Sequence, residues 1–249
     1  METGLSGPVD WSAPWLQPLR ERGERLTRGS PAGLALHVVL NENWDTPVRF
    51  VPQSELPVGV PYERYIFESG TCPVRDNLHD LFNGLVWQHF PQSKRRLNEL
   101  QAREIAGQDS GGARGPVRDA ITVLDENGAL LAAPPALWQA LLARDWRQLF
   151  VDLRPLWAQA RVLVFGHALL EKLLQPRKEI TAHVWRFPSP LGAMAEVDRW
   201  LAGQLTAATL AAKPFTPLPV MGIPGWSHEN QNFSFYDDSL VFRRPAGNS

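Results

Sequence analysis

The sequence predicts a helix-dominated α+β fold in a single domain, with a short β-hairpin and long loops rich in Pro and Trp. Three observations predict it. Several stretches repeat apolar residues at helical spacing, clearest from Leu78 to His89. An Asn127-Gly128 pair stands between two short apolar runs, a hairpin signal because both residues tolerate positive φ. Finally, 22 Pro and 10 Trp in 249 residues point to irregular connections tied onto a large apolar core.

Taken in order, residues 1–14 and 245–249 are expected to be loose. A short helix is predicted around 15–27, and Val48 to Val51 reads as a strand. Tyr62 to Glu68 is a helical turn. Ser69-Gly70-Thr71 and Pro73 place Cys72 on a loop, where a catalytic thiol is conceivable. Asp76 or Asn77 then caps a helix whose Leu78, Leu81, Phe82, Leu85, Val86 and His89 form one stripe. Pro91 stops that helix, and Ser93 caps the next.

Gln108 to Pro116 is Gly-rich and expected to be mobile. Ala120–Leu124 reads as a strand, Asp125–Gly128 as a turn and Ala129–Ala132 as the return strand. A helix is predicted from Pro134-Pro135 to about Phe150. Residues 156–174 read as strand then helix, changing at Gly166, or as one long helix. An Ala-rich helix covers about 190–212. The tail from Pro214 is loop, anchored by Trp226 and Tyr236, with a final strand at Ser239–Arg243. With no internal repeat and no linker, residues 1–249 are expected to form one domain.

Composition narrows function. Hydrophobic residues make up 44% of the chain, enough for a real core. Basic and acidic residues number 25 and 26, so no overall field draws nucleic acid or anionic lipid. Only the run Lys94-Arg95-Arg96 offers a local basic patch, and a nucleic-acid partner is not expected from a solvated helix face. A single cysteine excludes an intrachain disulfide or a Cys-based metal site. The N-terminus lacks a secretory pattern and no window holds 18 unbroken apolar residues, so a cytoplasmic protein without a membrane partner is expected. The phosphate-binding G-x-x-x-x-G-K-[ST] loop, the G-x-S-x-G elbow and the G-x-G-x-x-G fingerprint are absent.

Chemistry concentrates between Arg75 and Gly128. On the capped helix, His79, Asn83 and Trp87 follow one another at intervals of four, so they stack on one face, with Asp80 alongside. An imidazole, a carboxylate and an amide at matched height suit acid–base catalysis or metal binding. His79, Asp80, Asn83 and Asp119 are therefore the candidate catalytic residues. Arg75, Lys94, Arg118, His167 and Trp226 are candidate substrate contacts, with Arg75 and Lys94 suited to a small anionic molecule. Asp125 is assigned to the turn. His79, His167 and His183 can be imagined as a three-imidazole metal set, although their spacings match no close ligand pair.

The motifs Arg75-x-Asn77-Leu-His-Asp-Leu-Phe-Asn83, Trp87-x-x-Phe-Pro91-x-x-Lys94, Arg118-Asp119-Ala-x-Thr122, Asp125-Glu-Asn-Gly128 and Phe165-Gly-His-Ala168 resemble a bacterial family, domain of unknown function 3025. So does the terminal run Gly222-Ile-Pro-Gly-Trp226, Phe235-Tyr-Asp-Asp238 and Val241-Phe-Arg243. The resemblance covers roughly residues 40–245. It implies that the tail belongs to the domain, but no activity, cofactor or catalytic set. The leading functional expectation is a small-molecule enzyme with an acid–base or metal-assisted hydrolytic site. The alternatives are a non-catalytic ligand- or protein-binding module and, third, nucleic-acid binding through Lys94–Arg96. Metal, cofactor and oligomeric state stay open.

Overall fold

A computed structural model of the chain describes residues 9–28, 34–42, 46–107, 115–188 and 190–243. Its helices are α1 (Arg20–Arg28), α2 (Leu36–Asn41), α3 (Tyr62–Ser69), α4 (Leu78–His89), α5 (Pro91–Ala106), α6 (Pro116–Asn127), α7 (Pro135–Leu142), α8 (His167–Lys172), α9 (Met194–Gln204) and α10 (Ala207–Ala211). Between them run β1 (Arg49–Pro52), β2 (Thr71–Val74), β3 (Gly128–Ala132), β4 (Arg161–Val164), β5 (Thr181–Arg186) and β6 (Phe215–Pro219).

β1 and β2 form a small parallel pair with Phe50 opposite Cys72. The other strands form one sheet in the order β4-β3-β5-β6. β3 is antiparallel to β4 and parallel to β5, and β6 is antiparallel to β5. All five residues of β3 are buried, as expected of a central strand covered on both faces. One continuous apolar core joins this sheet to the helices and includes Phe82, Phe90, Leu130 and Phe165. The architecture is thus a single helix-dominated α+β domain.

The predicted hairpin is not formed. Residues 120–124 belong to α6, and β3 pairs with strands from later in the chain. Helical spacing outweighs the Asn-Gly signal: Val117, Ala120, Ile121 and Leu124 fall at i, i+3, i+4 and i+7 and all are buried. Pro116 supplies a favourable first helical residue. Gly128 ends α6 where space, not positive φ, demands glycine, since a Cβ there would lie 2.4 Å from the Leu124 carbonyl oxygen.

Other boundaries also move. Cys72 lies within β2, fully buried, with its sulfur 3.2 Å from the Tyr62 hydroxyl. Burial pushes its thiol up to about 12, which removes it as a nucleophile near neutral pH. α5 starts at Pro91, and its early N–H groups, those of Gln92 and Ser93, are met by the Asp198 carboxylate from α9 rather than by a Ser93 cap. α7 stops at Leu142, short of the predicted Phe150, and Arg144 takes a positive φ just beyond it. The predicted 190–212 helix is two helices with a break at Leu205–Thr206. Residues 239–243 form turns, not a strand. The segment 9–14 is anchored: Trp11 is buried against α1, where a Cβ on Gly23 would collide with its ring. The strand-then-helix reading around Gly166 matches β4 and α8. The expected mobile loop at 108–114 and the expected loose ends 1–8 and 245–249 lie outside the described residues.

Candidate functional site

Four helices meet at one polar centre, and local sequence rules position each. Asn77 caps α4 by accepting the Asp80 N–H at 2.7 Å. The Asp80 carboxylate in turn accepts from the Arg75 backbone N–H at 2.6 Å and from its guanidinium Nε and Nη2 at 3.0 Å each. This clamp fixes the entry to α4 and the height of His79. α5 contributes Lys94, whose buried ammonium donates to Asn83 Oδ1 at 3.0 Å and to Asp125 Oδ1 at 2.5 Å. It also lies 5.3 Å from the centre of the Trp87 ring.

α8 packs against both α4 and α6. Its N-terminal end fits only because residue 166 is glycine: a Cβ there would stand 2.5 Å from the Glu126 carbonyl oxygen. The Gly166 N–H donates to the Gly128 carbonyl at 2.8 Å, locking the start of α8 beside the end of α6. That contact brings His167 to Asp125 and Glu126.

His79 Nδ1 is 2.8 Å from Glu171 Oε2, one turn further along α8 from His167. A carboxylate at Nδ1 holds the proton there, so Nε2 carries the lone pair. His79 Nε2 is 3.1 Å from His167 Nε2. On its other side, His167 Nδ1 faces the Asp125 carboxylate at 3.8 Å and has no close hydrogen-bond partner among the described residues. Glu126 Oε2 stands 3.6 Å from His167 Nε2. One donor atom each from His79, Glu126 and His167 thus falls within 4.8 Å of the others, the spacing of a shared metal ion. Two imidazole nitrogens bound to one zinc at about 2.0–2.1 Å lie about 3.0–3.4 Å apart, depending on geometry.

The electrostatics favour this use. Burial, more than any other effect, pulls the His167 imidazole down to about 4, so the ring is neutral and can coordinate near neutral pH. For Asp125, burial opposes ionisation, but Lys94 and His167 outweigh it and hold the carboxyl below its ordinary value. Burial, with the charge of Asp125, pushes Glu126 up. A carboxyl held up for want of a counter-charge is what a bound cation would relieve.

The centre opens into two adjoining chambers. One, of about 340 Å³, is lined by His79, Asp80, Arg75, Glu126 and His167 among others. The other, of about 240 Å³, is lined by Lys94, Asn98, Gln101, Thr122 and their neighbours. Tyr62, Glu63, Asn83, Asp125 and Glu126 border both.

Of the residues singled out from sequence, Arg75, His79, Asp80, Asn83, Lys94 and His167 come together here. Arg118 and Asp119 do not line either chamber; they sit in the first turn of α6, about 10 Å along the helix from Glu126. Trp226 does not roof the site. It packs on Trp15 at 5.5 Å and borders a separate apolar groove of about 960 Å³. His183 lies on β5 outside the metal-type cluster, whose third member is Glu126. Asp125 is corrected from a turn residue to the hub linking Lys94 and His167. Both cations proposed for an anionic ligand are already engaged, Arg75 by Asp80 and Lys94 by Asp125.

Glu63, Glu126 and Glu171 escaped the sequence reading. The signal for Glu126 was the helical spacing of 117–124, which puts Asp125-Glu126 on a helix end. Glu171 was visible as i+4 from His167, the interval that pairs side chains on a helix. Nothing local marks Glu63.

Residues 48–246 match the family model described as "Protein of unknown function (DUF3025)". The chain belongs to the DUF3025 family. No curated protein and no solved structure matches it. The DUF3025 region runs from the start of the β1 segment through the tail and contains every residue of the polar centre. α1 and α2 precede it, yet Leu26, Leu36 and Leu40 join the same core. The family description states no activity, so function is argued from the geometry.

Proposed function

We propose that this protein is a metal-dependent hydrolase of a small molecule, with His79, His167 and Glu126 holding one divalent transition-metal ion. One observation carries the reading. Glu171 sits on the Nδ1 side of His79 and Asp125 lies behind the His167 ring, so the two Nε2 atoms point at each other at 3.1 Å. With the His167 proton on Nδ1, both lone pairs would converge there, and a cation between them would relieve their repulsion. Two imidazoles and one carboxylate form a ligand set suited to zinc with an open position for water. Carboxylates behind metal-bound histidines orient the rings and raise their basicity, the part Glu171 would play for His79, with Asp125 stationed 3.8 Å behind His167.

Bound there, the ion would supply a hydroxide near neutral pH by lowering the pKa of its water to about 7, and would polarise a carbonyl or phosphoryl oxygen. The chain's own groups would do the rest. Asn83 and Asp125 hold Lys94 in place. Arg75 stands at the rim with 59% of its side chain exposed. Its guanidinium spends two N–H groups on Asp80, leaving others to meet a departing anion.

The test is metal analysis of purified protein and of chelated protein re-incubated with zinc, manganese, cobalt or iron(II). Hydrolysis of chromogenic ester, amide and phosphoester substrates is then followed before and after reloading. Stoichiometric metal and metal-restored hydrolysis are expected. Failure to retain any of these ions would overturn the proposal. A second reading has its own support: a proton between the two Nε2 atoms would make Glu171–His79–His167 a proton relay for metal-free acid–base catalysis. Hydrolysis that survives chelation would select it.

A further inference from the structure

We propose that the smaller chamber binds a cationic nitrogen of the substrate, an ammonium or guanidinium group, while the scissile bond lies at the metal. Only the position of the scissile bond rests on the hydrolase reading; the preference for a cation rests on the chamber.

The chamber wall carries acceptors with capacity to spare. Gln101 is nine-tenths buried in its wall, and its Oε1 has no hydrogen-bond partner. A buried acceptor left unmet is destabilising, so a donor arriving there is favoured. Thr122 spends its hydroxyl proton on the Arg118 carbonyl at 3.0 Å, which leaves its oxygen to accept. Asn98 Nδ2 is committed to the Glu63 carbonyl and carboxylate at 2.8 and 2.7 Å. The one ammonium in the wall, Lys94, is held by Asn83 and Asp125.

Charge points the same way. Three carboxylates border the chamber: Glu63, Asp125 and Glu126. Asp125 is paired with Lys94, and Glu126 serves the metal end. Glu63, on the shared border of the two chambers, has one amide donor and no direct ion pair among the described residues. Burial, with the nearby charge of Asp125, pushes its carboxyl above the usual range. An incoming cation would supply the missing partner through a charge-assisted bond. Ile66, Leu97 and Ile121 line the same space and would pack a short alkyl stem. An anionic group in this chamber would meet the repulsion of three carboxylates, with the Lys94 ammonium already held by Asp125.

The experiment is calorimetric titration of the full-length, zinc-loaded protein with propylamine and methylguanidinium. Propionate and inorganic phosphate serve as anionic probes at matched ionic strength. Saturable binding of at least one cation is expected, without saturable binding of either anion. Glu63→Gln should weaken that binding about tenfold or more, the size of a lost charge-assisted bond. Gln101→Leu should weaken it severalfold and keeps the result readable if the Glu63 variant does not fold. Both variants should retain full zinc stoichiometry. Cation affinity unchanged in both variants, binding of the anions instead, or binding of no probe overturns the proposal. Cation binding by a protein that retains no metal would sink the hydrolase reading while leaving the chamber assignment standing. Zinc retained without cation binding would do the reverse.

Discussion

Two buried polar networks in this fold invite comparison, the clasp that ties down the tail and the histidine centre. In the clasp, Asn230 is fully buried and its Nδ2 donates to the Met221 and Ile223 carbonyls at 2.8 and 2.7 Å. Its side-chain oxygen accepts from Arg154 at 3.2 Å, and the Tyr236 hydroxyl donates to the Gly222 carbonyl at 2.9 Å. Phe150 stacks on Tyr236 with ring centres 5.2 Å apart. The Asn230 side-chain amide therefore has both its donor and its acceptor sides met. Around the histidine centre, His167 Nδ1 has no close hydrogen-bond partner among the described residues, Gln101 Oε1 is unmet in the adjoining chamber, and the two imidazole Nε2 atoms stand 3.1 Å apart. Natural interiors satisfy nearly all buried polar groups, so a satisfied network reads as structure and an unsatisfied one as a place made for something else. Size misleads here: the apolar groove of about 960 Å³ beside the clasp is larger than either chamber, yet it carries no such cluster among the described residues.

The comparison breaks most sharply under paired substitutions. His167→Ala or His79→Ala should reduce zinc affinity by at least about 100-fold, beyond what losing an outer partner costs. Neither should lower thermal stability in metal-free protein as much as the clasp variant, because an ion, not the metal-free fold, is what the two rings would serve. Asn230→Ala should do the opposite. It strands two carbonyls and an Arg154 donor, a cost of about 2–4 kcal/mol, or roughly 5–15 °C in Tm for a chain of this size. Zinc stoichiometry should stay the same. Metal titration and thermal unfolding on the same three proteins settle the matter. Should Asn230→Ala lose metal and His167→Ala lose stability, the two networks have been assigned the wrong way round.

How much of this was legible beforehand follows from how local each feature is. The α4 face was readable because cap, stripe and polar residues all sit within one short segment, and α4 forms with Asn77 as its cap. At α6 a two-residue turn signal competes with four apolar residues at helical spacing, and the helix wins. A hairpin there puts Asp125 in a turn and hides Glu126, whereas the helix carries both to the centre. Glu63 was illegible on other grounds: its neighbours Asn98 and Asp125 lie 35 and 62 positions away in the chain, and only folding supplies them. Trp226 was assigned to the cleft by its chemistry alone, and its partner Trp15 comes from the other end of the chain.

A gentler change sharpens the line between the networks. Glu171→Gln keeps the shape beside His79 Nδ1 but removes the charge that fixes the tautomer. It should cost roughly 10- to 100-fold in metal affinity with little change in Tm. Asn83→Leu would instead remove a partner of buried Lys94, so stability should fall together with affinity. Equal behaviour of the two variants in both measurements would mean that Glu171 acts only as packing.

The smallest expected effect concerns a histidine belonging to neither network. His89 ends α4, ten residues from His79 and so about 15 Å along the helix. Its Nδ1 is 2.8 Å from the Leu85 carbonyl, which fixes the neutral tautomer with the proton on that nitrogen. Burial, chiefly, holds the imidazole below its ordinary value, against the pull of the Leu85 carbonyl. The unfolded chain then binds the proton more readily than the folded one, with a pKa of about 6.5. The stability contribution is fully present above that value and declines as pH falls through it toward the folded-state pKa. Wild-type protein should lose Tm between pH 7.5 and 5.5, and His89→Phe should flatten part of that slope. Because His89 touches no ligand atom, the flattening should be the same with and without zinc. His167 also titrates low but at the centre, so its share of the slope should change once metal is loaded. A His89→Phe slope that itself depends on zinc would show that the far end of α4 is coupled to the centre and that the boundary drawn between them is wrong.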